Sequence, residues 1–395
     1  MDPIRAMLDS VLAEVRPDDE GAVADYIPAL AAAEPDRLAF AVVGPRGRVT
    51  AVGDSEHLFT IQSVSKPFVL AAALERLGRD EVLRHVGVEP SGEPFNAISL
   101  ERGTGRPANP MVNAGAIATS SLVAEGDAAA RSAQVLEVLS RFAGRPLDID
   151  EEVYRGESDT GHRNRALAHL LRSHDVIDGD VDTVVETYFR QCSVRVTVHD
   201  LAVMAGTLAF GGVNPVTGER VVREAVARDV VSVMASCGMY DFSGEWLLFS
   251  GEWLLRVGMP AKSGVSGDLL AVAPSQFGVA TFSPRLDPHG NSVRGIRILE
   301  RLSHEFGMHV FEPHESIAAP GIRVERDHEG ILVHLGGELA FSGSERVLAV
   351  LRDLTEGSAE HLRIDARALG RAHPAALEVL RVQLAQDGDR LRLID

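Results

Sequence analysis

The sequence predicts an α/β protein with two domains: a larger one in which a β-sheet covers a block of helices, and a small α/β module at the C-terminus. Three observations lead to this prediction. Strand-like runs stand at both ends of the first 312 residues, helical patterns fill most of residues 110–235, and strands alternate with helices from 321 onwards. We therefore expect domains at 1–312 and 321–395, joined by a proline-containing linker at 313–320.

Length and composition agree with this fold class. The chain has 395 residues, of which 45% are hydrophobic and 24% are charged, values typical of globular proteins. Its formal net charge of −18 repels phosphate backbones and anionic membrane surfaces, and the sequence contains no basic cluster that would offset it. We therefore expect neither a nucleic-acid partner nor a membrane association.

The N-terminal residues do not resemble a targeting signal. The stretch MDPIRAMLDSVLAEV is amphipathic and contains acidic residues, and apolar runs such as Phe68–Leu74 are far shorter than the roughly 20 residues that span a bilayer. Only two cysteines occur, Cys192 and Cys237, and neither stands in a CxxC motif. We predict a cytoplasmic protein with neither a disulfide framework nor a thiolate zinc site.

The elements of the first domain follow one another along the chain. Residues 1–35 contain two short helical patterns, and a hairpin is predicted over 38–52 around the turn Gly-Pro-Arg-Gly. A helix rich in Ala and Leu extends from Ser63 to about residue 77. Strand character returns between Trp253 and Phe282, and the segment VRGIRILERLSHEFG then has helical periodicity.

The C-terminal module shows a regular alternation. ILVHLGGELAF, HLRIDA and RLRLID have strand character, whereas SGSERVLAVLRDL and PAALEVLRVQLA have apolar residues at helical spacing. This order predicts a compact βαβαβ module of about 75 residues.

The first motif that carries chemistry is Ser63-Val-Ser-Lys66. Residues i and i+3 share one helix face, so the Ser63 hydroxyl and the Lys66 amine can come within hydrogen-bonding distance. A serine becomes a nucleophile when a base takes its proton, and a lysine is a base only when neutral, which burial at a helix N-terminus favours by lowering its pKa. The helix start also offers backbone N–H groups to an oxyanion. A helix N-cap is the alternative role for a serine here, and we assign the structural role to Ser65.

The second motif is Lys262-Ser-Gly264. On a strand edge this triplet places a cation and a hydroxyl beside a nucleophile, and its glycine lets the substrate approach the backbone. A plain glycine-rich turn is the alternative. Both motifs occur, in this order, in the serine acyl-enzymes of penicillin-binding proteins and class A β-lactamases. The SDN motif of those enzymes is absent, and SDT at 158–160 is the most similar string.

Seven strings distributed over residues 20–310 closely resemble the glutaminase A family. They are ADYIPAL (24–30), FTIQSVSKPF (59–68), NPMVNAGAI (109–117), ESDTGHRNRA (157–166), YFRQCS (188–193), CGMYDFSGEW (237–246) and PAKSGVSG (260–267). The resemblance implies hydrolysis of L-glutamine to L-glutamate and ammonia on a β-lactamase-like fold, without a metal or an organic cofactor.

The resemblance also implies roles for individual residues. Ser63 is similar to the nucleophile of the family, Lys66 to its base, and Tyr240 to a tyrosine that assists proton transfer beside them. Val265 matches the position whose main-chain N–H completes the oxyanion hole with that of Ser63. The remaining positions that hold glutamine correspond to Tyr26, Asn113, Glu157, Asn164 and Tyr188.

These residue types suit a free amino acid as ligand. Glu157 can pair with an α-ammonium group, while asparagine amides and tyrosine hydroxyls can donate to an α-carboxylate. A pocket of this kind rejects ligands that leave its buried donors unpaired. Simpler roles exist for each: Tyr26 and Tyr188 as residues at the edge of a core, Asn113 as a helix cap, and Glu157 as a solvated carboxylate.

A short duplication lies between the two halves of the predicted site. FSGEWLL occurs at 242–248 and again at 249–255, whereas the family that the chain resembles carries SGEW once. We expect the additional copy to extend a loop and to leave Tyr240 and Lys262 in place. A shift of strand register would instead turn the side chains to the opposite face.

Residues 321–395 resemble the STAS domain in VHLGGELAFSGSERVL and LRIDARAL. Regulatory members carry a phosphorylated serine at the start of the helix after the second strand, but GRAHPAAL contains neither Ser nor Thr here. We therefore expect a docking or oligomerisation role, with a homo-oligomer (dimer or tetramer) and a protein partner of this module. A passive appended domain is the alternative.

Two other functions agree with part of the sequence. A β-lactamase or peptidase would share the fold, but the SDN motif is missing. A signalling protein whose enzyme domain has lost activity would act through the STAS-like module, but the joint presence of Ser63, Lys66 and Tyr240 argues against such a loss. A glutaminase is therefore the leading prediction.

Overall fold

The protein is described by a computed structural model that covers residues 2–91, 100–239, 253–312, 320–355, 361–387 and 391–394. Its internal contacts divide the chain into two compact units. The larger unit is Leu12–Leu299, and the smaller one combines Met1–Val11 with Glu300–Asp395. The domain boundaries at 312 and 321 stay a prediction, and most of the predicted linker, residues 313–319, lies outside the described residues.

Helices make up most of the larger unit, and the first and last of them cross its boundaries. They are α1 Pro3–Val15, α2 Pro28–Ala31, α3 Lys66–Leu77, α4 Arg79–His85, α5 Asn113–Val123, α6 Ala128–Ala143, α7 Glu151–Thr160, α8 His162–Ser173, α9 Val181–Cys192, α10 Val198–Ala209, α11 Glu224–Cys237, α12 described over 253–256, and α13 Val293–Phe306. A short 3₁₀-helix, Gln62–Ser65, directly precedes α3.

A five-stranded antiparallel sheet lies against these helices, with the strand order β2-β1-β8-β7-β6. Its strands come from both ends of the unit, as predicted: β1 Ala39–Val43, β2 Val49–Gly53, β6 Ala261–Ser263, β7 Asp268–Ala273 and β8 Phe277–Phe282. The predicted hairpin is the β1–β2 pair, and the Lys262-Ser-Gly264 motif does begin on an edge strand, β6.

Two details of the larger unit differ from the sequence prediction. Residues 253–256 are helical, not extended; Trp253 is buried and its Nε1 donates to the carbonyl of Met259 at 2.8 Å. A short apolar run does not distinguish helix from strand by periodicity, which explains the error. A small second sheet was not predicted, because its strands are two or three residues long: β3 Phe59–Thr60, β4 Asp148–Ile149 and β5 Val194–Val196, in the order β3-β5-β4.

The main core lies between the five-stranded sheet and helices α3, α6, α10 and α11. Helix α10 is buried along almost its whole length and packs directly on β1, β7 and β8. A Cβ on Gly278 of β8 would lie 2.1 Å from the Gly206 nitrogen of α10, and a Cβ on Gly206 would lie 2.5 Å from Val43 Cγ1. The close contact between helix and sheet therefore requires glycine at both positions.

The smaller unit contains a four-stranded mixed sheet with the order β12-β11-β10-β9. Its elements are β9 Gly321–Asp327, β10 Gly330–Leu339, α14 Phe341–Thr355, β11 Leu362–Ala372, α15 Pro374–Asp387 and β12 Leu391–Ile394. The predicted βαβαβ order is present from β10 onwards, with β10, β11 and β12 parallel. Strand β9, which pairs antiparallel with β10, was not predicted; nearly all of its residues are exposed, so it lacks a buried apolar face.

Two other features bear on the sequence predictions. Both cysteines, Cys192 and Cys237, are buried, and neither forms a disulfide within the described residues. No helix in the described part of the chain is long and apolar enough to cross a membrane.

Replacing Gly278 by Ala is expected to destabilise the larger unit by roughly 1–3 kcal/mol, because the new methyl group forces α10 away from the sheet. Gly156→Ala is the matched control: a Cβ there lies 3.5 Å from its nearest neighbour, in the middle of helix α7, and alanine favours helix. Thermal unfolding of both variants tests this. Equal midpoints for the two variants would contradict the proposed close packing.

Candidate active site

The predicted nucleophile and base lie one turn apart in a buried segment. Ser63 belongs to the 3₁₀-helix rather than to an α-helix, and Lys66 is the first residue of α3. Side chains at i and i+3 eclipse in a 3₁₀-helix, so the tighter helix brings the two side chains to the same side. Ser63 is 7% exposed and Lys66 is fully buried. No hydrogen bond joins these two side chains to each other in the described part of the chain.

The Lys66 ammonium is held instead by the start of α5. Its Nζ donates to Asn113 Oδ1 at 2.8 Å and to the carbonyl oxygen of Met111 at 3.2 Å. Burial lowers the pKa of Lys66 from 10.5 to about 8, although the charge of the nearby Glu157 opposes this shift. About one lysine in ten is then neutral at pH 7, so Lys66 can act as a base without a large energetic cost.

Asn109 orients the carbonyl group that receives Lys66. Its Oδ1 accepts hydrogen bonds from the backbone N–H groups of Met111 (3.0 Å) and Val112 (3.2 Å), and its Nδ2 donates to the carbonyl of Glu89 at 2.9 Å. The side chain is buried. Sequence reasoning did not single out Asn109, although an Asn-Pro pair ahead of a helix is a recognised turn signal.

A second group of residues surrounds Glu157, which is buried on α7. The Tyr26 hydroxyl donates to Glu157 Oε1 at 3.1 Å and approaches Gln62 Oε1 at 3.5 Å. Burial raises the pKa of Glu157, while hydrogen bonds from Tyr26 and Gln62 and the charge of Lys66 lower it. A buried carboxyl group of this kind gains a strong partner when a cation enters the site.

Gln62 has a strained backbone next to the nucleophile. Its φ is +44°, a value that few residues other than glycine adopt, and its side chain is buried, with Nε2 donating to Thr60 Oγ1 at 3.2 Å. Strain of this kind persists only where the surroundings enforce it, and it concentrates at functional sites.

Asn113 connects Lys66 with two further predicted site residues, Asn164 and Tyr188. Its Oδ1 accepts from Lys66 Nζ and from the Tyr188 hydroxyl (3.3 Å), and its Nδ2 donates to Asn164 Oδ1 at 3.0 Å. Asn113 is the first residue of α5 and forms no cap, so its polar atoms serve the site. The structure thus brings Lys66, Asn113, Asn164 and Tyr188 into one hydrogen-bonded network.

Ser65 has the structural role assigned to it, but not as a side-chain cap. It occupies the N-cap position of α3 without a side-chain cap bond. Its hydroxyl donates to the Gln62 carbonyl at 2.7 Å and accepts from Gln191 Nε2 at 2.9 Å. Gln191 in turn accepts from Ser120 of α5 at 2.9 Å, so this buried chain ties α5 and α9 to the segment that carries Ser63.

Val265 lies in the turn after β6, and Ser266 fastens this turn to the strand before Ser63. The Ser266 hydroxyl donates to the carbonyl of Thr60 at 2.6 Å and lies 3.4 Å from its Oγ1. Val265 itself packs beside the apolar cluster that contains Ile27 and Leu30. The turn that carries the predicted oxyanion N–H is thereby linked to the nucleophile segment.

A buried carboxyl group explains the glycine of the Lys262-Ser-Gly264 motif. A Cβ on Gly264 would lie 2.0 Å from Asp268 Oδ1. Asp268 is fully buried, and burial raises its pKa well above the usual value, while the charge of Lys262 lowers it. Sequence reasoning missed Asp268, and a single aspartate within a strand offers no signal by which to find it.

Two predictions about the site are not covered by these observations. Tyr240 and residues 242–252, which hold most of the duplicated segment, lie outside the described residues.

No group of three or more His, Cys, Asp or Glu side chains suited to a metal ion occurs in the described part of the chain. Burial raises the pKa of the Cys192 thiol to about 12, which favours the neutral thiol.

A family model described as Glutaminase matches residues 21–311. The chain belongs to the glutaminase family. It is therefore an amidohydrolase that acts on a linear amide, and its larger unit has the β-lactamase-like fold predicted from the sequence.

Curated glutaminases match most of the chain. The glutaminase of Trichormus variabilis is 49% identical over 310 residues, which cover 78% of this chain and 91% of that protein. The glutaminase of Corynebacterium glutamicum is 41% identical over 391 residues, which cover 98% of this chain and 92% of that protein. The second similarity extends through the C-terminal module.

Solved structures show the same relationship. A crystal structure of Mglu has a TM-score of 0.76 and 42% identity, and covers 100% of this chain and 98% of that one. The Bacillus subtilis glutaminase YbgJ, solved as a covalent complex with 5-oxo-L-norleucine, has a TM-score of 0.70 and 33% identity, and covers 78% of this chain and 99% of that one.

Burial of the Lys66 ammonium should appear in the pH dependence of stability. The folded-state pKa of about 8 lies below the unfolded value of 10.5, so the unfolded state binds more protons between these values. Relative to Lys66→Met, the wild-type protein is expected to gain stability from pH 8 to 10.5, by roughly 3 kcal/mol at most. Denaturant unfolding across this range measures the gain. Parallel stability curves would show that Lys66 titrates normally.

Proposed function

We propose that this member of the glutaminase family hydrolyses L-glutamine to L-glutamate and ammonia through a γ-glutamyl ester on Ser63. The observation that carries the proposal is a serine hydroxyl one 3₁₀ turn from a fully buried lysine whose pKa is lowered to about 8. The covalent complex of the Bacillus subtilis relative supports it, because 5-oxo-L-norleucine has a carbonyl group at C5, where glutamine carries its carboxamide.

In the first step the Ser63 hydroxyl attacks the carboxamide carbon of glutamine. Neutral Lys66 takes the serine proton, and the new C–O bond produces a tetrahedral oxyanion that accepts hydrogen bonds from the N–H groups of Ser63 and Val265. The C–N bond then breaks as the proton passes to the leaving nitrogen, directly from Lys66 or by way of Tyr240. Ammonia leaves and the γ-glutamyl ester remains.

The second step repeats this chemistry with water. Lys66 takes a proton from water, the oxygen attacks the ester carbon, and the same two N–H groups hold the second oxyanion. The ester C–O bond breaks, the serine oxygen recovers its proton, and glutamate is released. The Ser266 hydroxyl donates to the Thr60 carbonyl and so links the Val265 turn to the segment before Ser63. This link supports the oxyanion role proposed for the Val265 N–H, because the N–H groups of Ser63 and Val265 must stay aligned with one oxygen.

Recognition of glutamine is assigned to the residues around Asn113 and Glu157. Glu157, held by Tyr26, pairs with the α-ammonium group of the substrate, and Asn164, held through Asn113, donates to its α-carboxylate by Nδ2. The Tyr188 hydroxyl, which donates its one hydrogen to Asn113 in the unliganded protein, turns to the α-carboxylate when the substrate binds. The buried carboxyl of Glu157 gives up little hydration when it binds a cation, and a ligand without that cation leaves it unpaired.

The alternative functions receive less support. The family assignment favours glutamine over the substrates of β-lactamases and peptidases. The buried network around Lys66 is intact, which argues against an enzyme domain that has lost activity.

For the C-terminal module, we propose the STAS-like fold and a docking or oligomerisation role, supported by the alternation of β10, α14, β11, α15 and β12. Location in the cytoplasm and assembly into a homo-oligomer remain predictions.

Ser63→Ala is expected to abolish ammonia release from glutamine, because no other nucleophile replaces the hydroxyl. A coupled ammonia assay with glutamine and asparagine side by side measures it, and the wild-type protein should strongly prefer glutamine. Intact-mass analysis after rapid quenching should detect a γ-glutamyl adduct in the wild type and in the control variant, but not in Ser63→Ala. Ser121→Ala, on α5, where the hydroxyl bonds only within its own helix, is the control. Turnover retained by Ser63→Ala would refute the ester mechanism.

Glu157→Gln is expected to raise KM for glutamine about tenfold or more while kcat changes less, because the α-ammonium loses a charged partner. Glu152→Gln, an exposed position on the same helix, should leave both parameters unchanged. Steady-state kinetics of the two variants test the assignment. An unchanged KM in Glu157→Gln would place the ammonium elsewhere.

A further inference from the structure

A carboxylate on α9 joins the helices that carry the proposed substrate residues. Glu186 Oε1 accepts hydrogen bonds from Ser158 Oγ of α7 at 3.1 Å and from Arg165 Nη2 of α8 at 2.8 Å. Its Oε2 accepts one from the hydroxyl of Tyr154, also on α7. Arg165 reinforces the connection by donating to the Ser158 carbonyl at 2.6 Å and to its hydroxyl at 3.0 Å.

The partners of Glu186 adjoin two residues of the proposed site in sequence. Ser158 directly follows Glu157, and Arg165 directly follows Asn164. A displacement of either backbone segment would therefore move the side chain that is proposed to contact the substrate.

The corner between α7 and α8 rests on the same helix. A Cβ on Gly161, which joins α7 and α8, would lie 2.2 Å from Phe189 Cζ, so this corner packs tightly against α9. Glu186 and Phe189 are three residues apart and share one face of α9. Tyr188, on the same helix, donates to Asn113. Helix α9 thus contacts α5, α7 and α8, the three helices that carry Asn113, Glu157 and Asn164.

We propose that Glu186 is a positioning residue for the binding of the amino-acid part of the substrate. This inference rests on the proposed function. Its carboxylate holds α7 and α8 against α9, so that Glu157 meets the α-ammonium group and Asn164 meets the α-carboxylate. Hydrogen bonds with a charged partner are strong and directional, and small displacements of positioned groups weaken binding sharply.

The position of Glu186 predicts which kinetic parameter changes. In the described part of the chain, its hydrogen bonds go to α7 and α8 and none goes to Ser63 or Lys66. Its loss should therefore weaken ligand binding and leave the acyl-transfer steps nearly intact. A residue that served only general stability would lower the unfolding temperature without distinguishing among ligands.

The experiment compares Glu186→Gln with Glu151→Gln in the full-length protein. Glu151 is a matched control, because it also links α7 to α9, through an ion pair with Arg190 at 3.1 Å, but at the start of α7. The measurements are kcat and KM for glutamine, the unfolding temperature, and calorimetric binding of L-glutamate and of glutarate, which lacks the ammonium group.

Glu186→Gln should raise KM about tenfold with kcat within about threefold of wild type, and should weaken glutamate binding more than glutarate binding. Glu151→Gln should change none of these. Ser158→Ala should show the same selective loss to a smaller degree, and it tests the inference if Glu186→Gln does not fold.

A wild-type KM in Glu186→Gln, or equal loss of glutamate and glutarate binding, would overturn the inference. A wild-type protein that binds glutamate but releases no ammonia from glutamine would instead refute the proposed reaction, while the binding comparison would still decide the role of Glu186. Failure to bind glutamate at all would refute both.

Discussion

The proposed active site depends on one buried cation. Lys66 has no exposure to solvent, and its ammonium group is held by the Met111 carbonyl and by Asn113 Oδ1. A buried charge without such partners would cost several kcal/mol, so the loop before α5 and the first residue of α5 must each present an oxygen to it. Asn109 fixes that loop through its hydrogen bonds to the backbone of residues 111 and 112. The position of α5 relative to α3 follows from this requirement.

The same burial connects stability with catalysis. Because the surroundings lower the pKa of Lys66 to about 8, the folded protein gives up stability at neutral pH and gains a lysine that can accept a proton. Gln62 adds a strained backbone at the neighbouring position. The packing of the surrounding fold must offset both free-energy costs. Helix α10, for example, lies so close to the sheet that only glycine fits at 206 and 278.

The residues proposed to bind the substrate are arranged differently. Ser63 and Lys66 are close in sequence, whereas Glu157, Asn164 and Tyr188 come from three helices that must be aligned with one another. That alignment rests on hydrogen bonds and packing to α9, including those of Glu186 and Phe189. Chemistry and recognition are therefore supported by separate parts of the structure that meet at Asn113.

The sequence by itself determined what depends on local spacing. Periodicity and turn residues over short stretches predict three features: the placement of Ser63 and Lys66 on one side of a helical turn, the β1–β2 hairpin, and the βαβαβ order of the C-terminal module. The roles implied for Tyr26 and Glu157 came from the family resemblance, and the structure places these two side chains in contact. Only the tertiary structure decided that Asn109 orients the acceptor of Lys66, that Asp268 lies against Gly264, and that an exposed strand, β9, completes the four-stranded sheet of the smaller unit. These features are pairings between separate segments, and a hydrogen bond between distant residues leaves no periodic pattern in the chain.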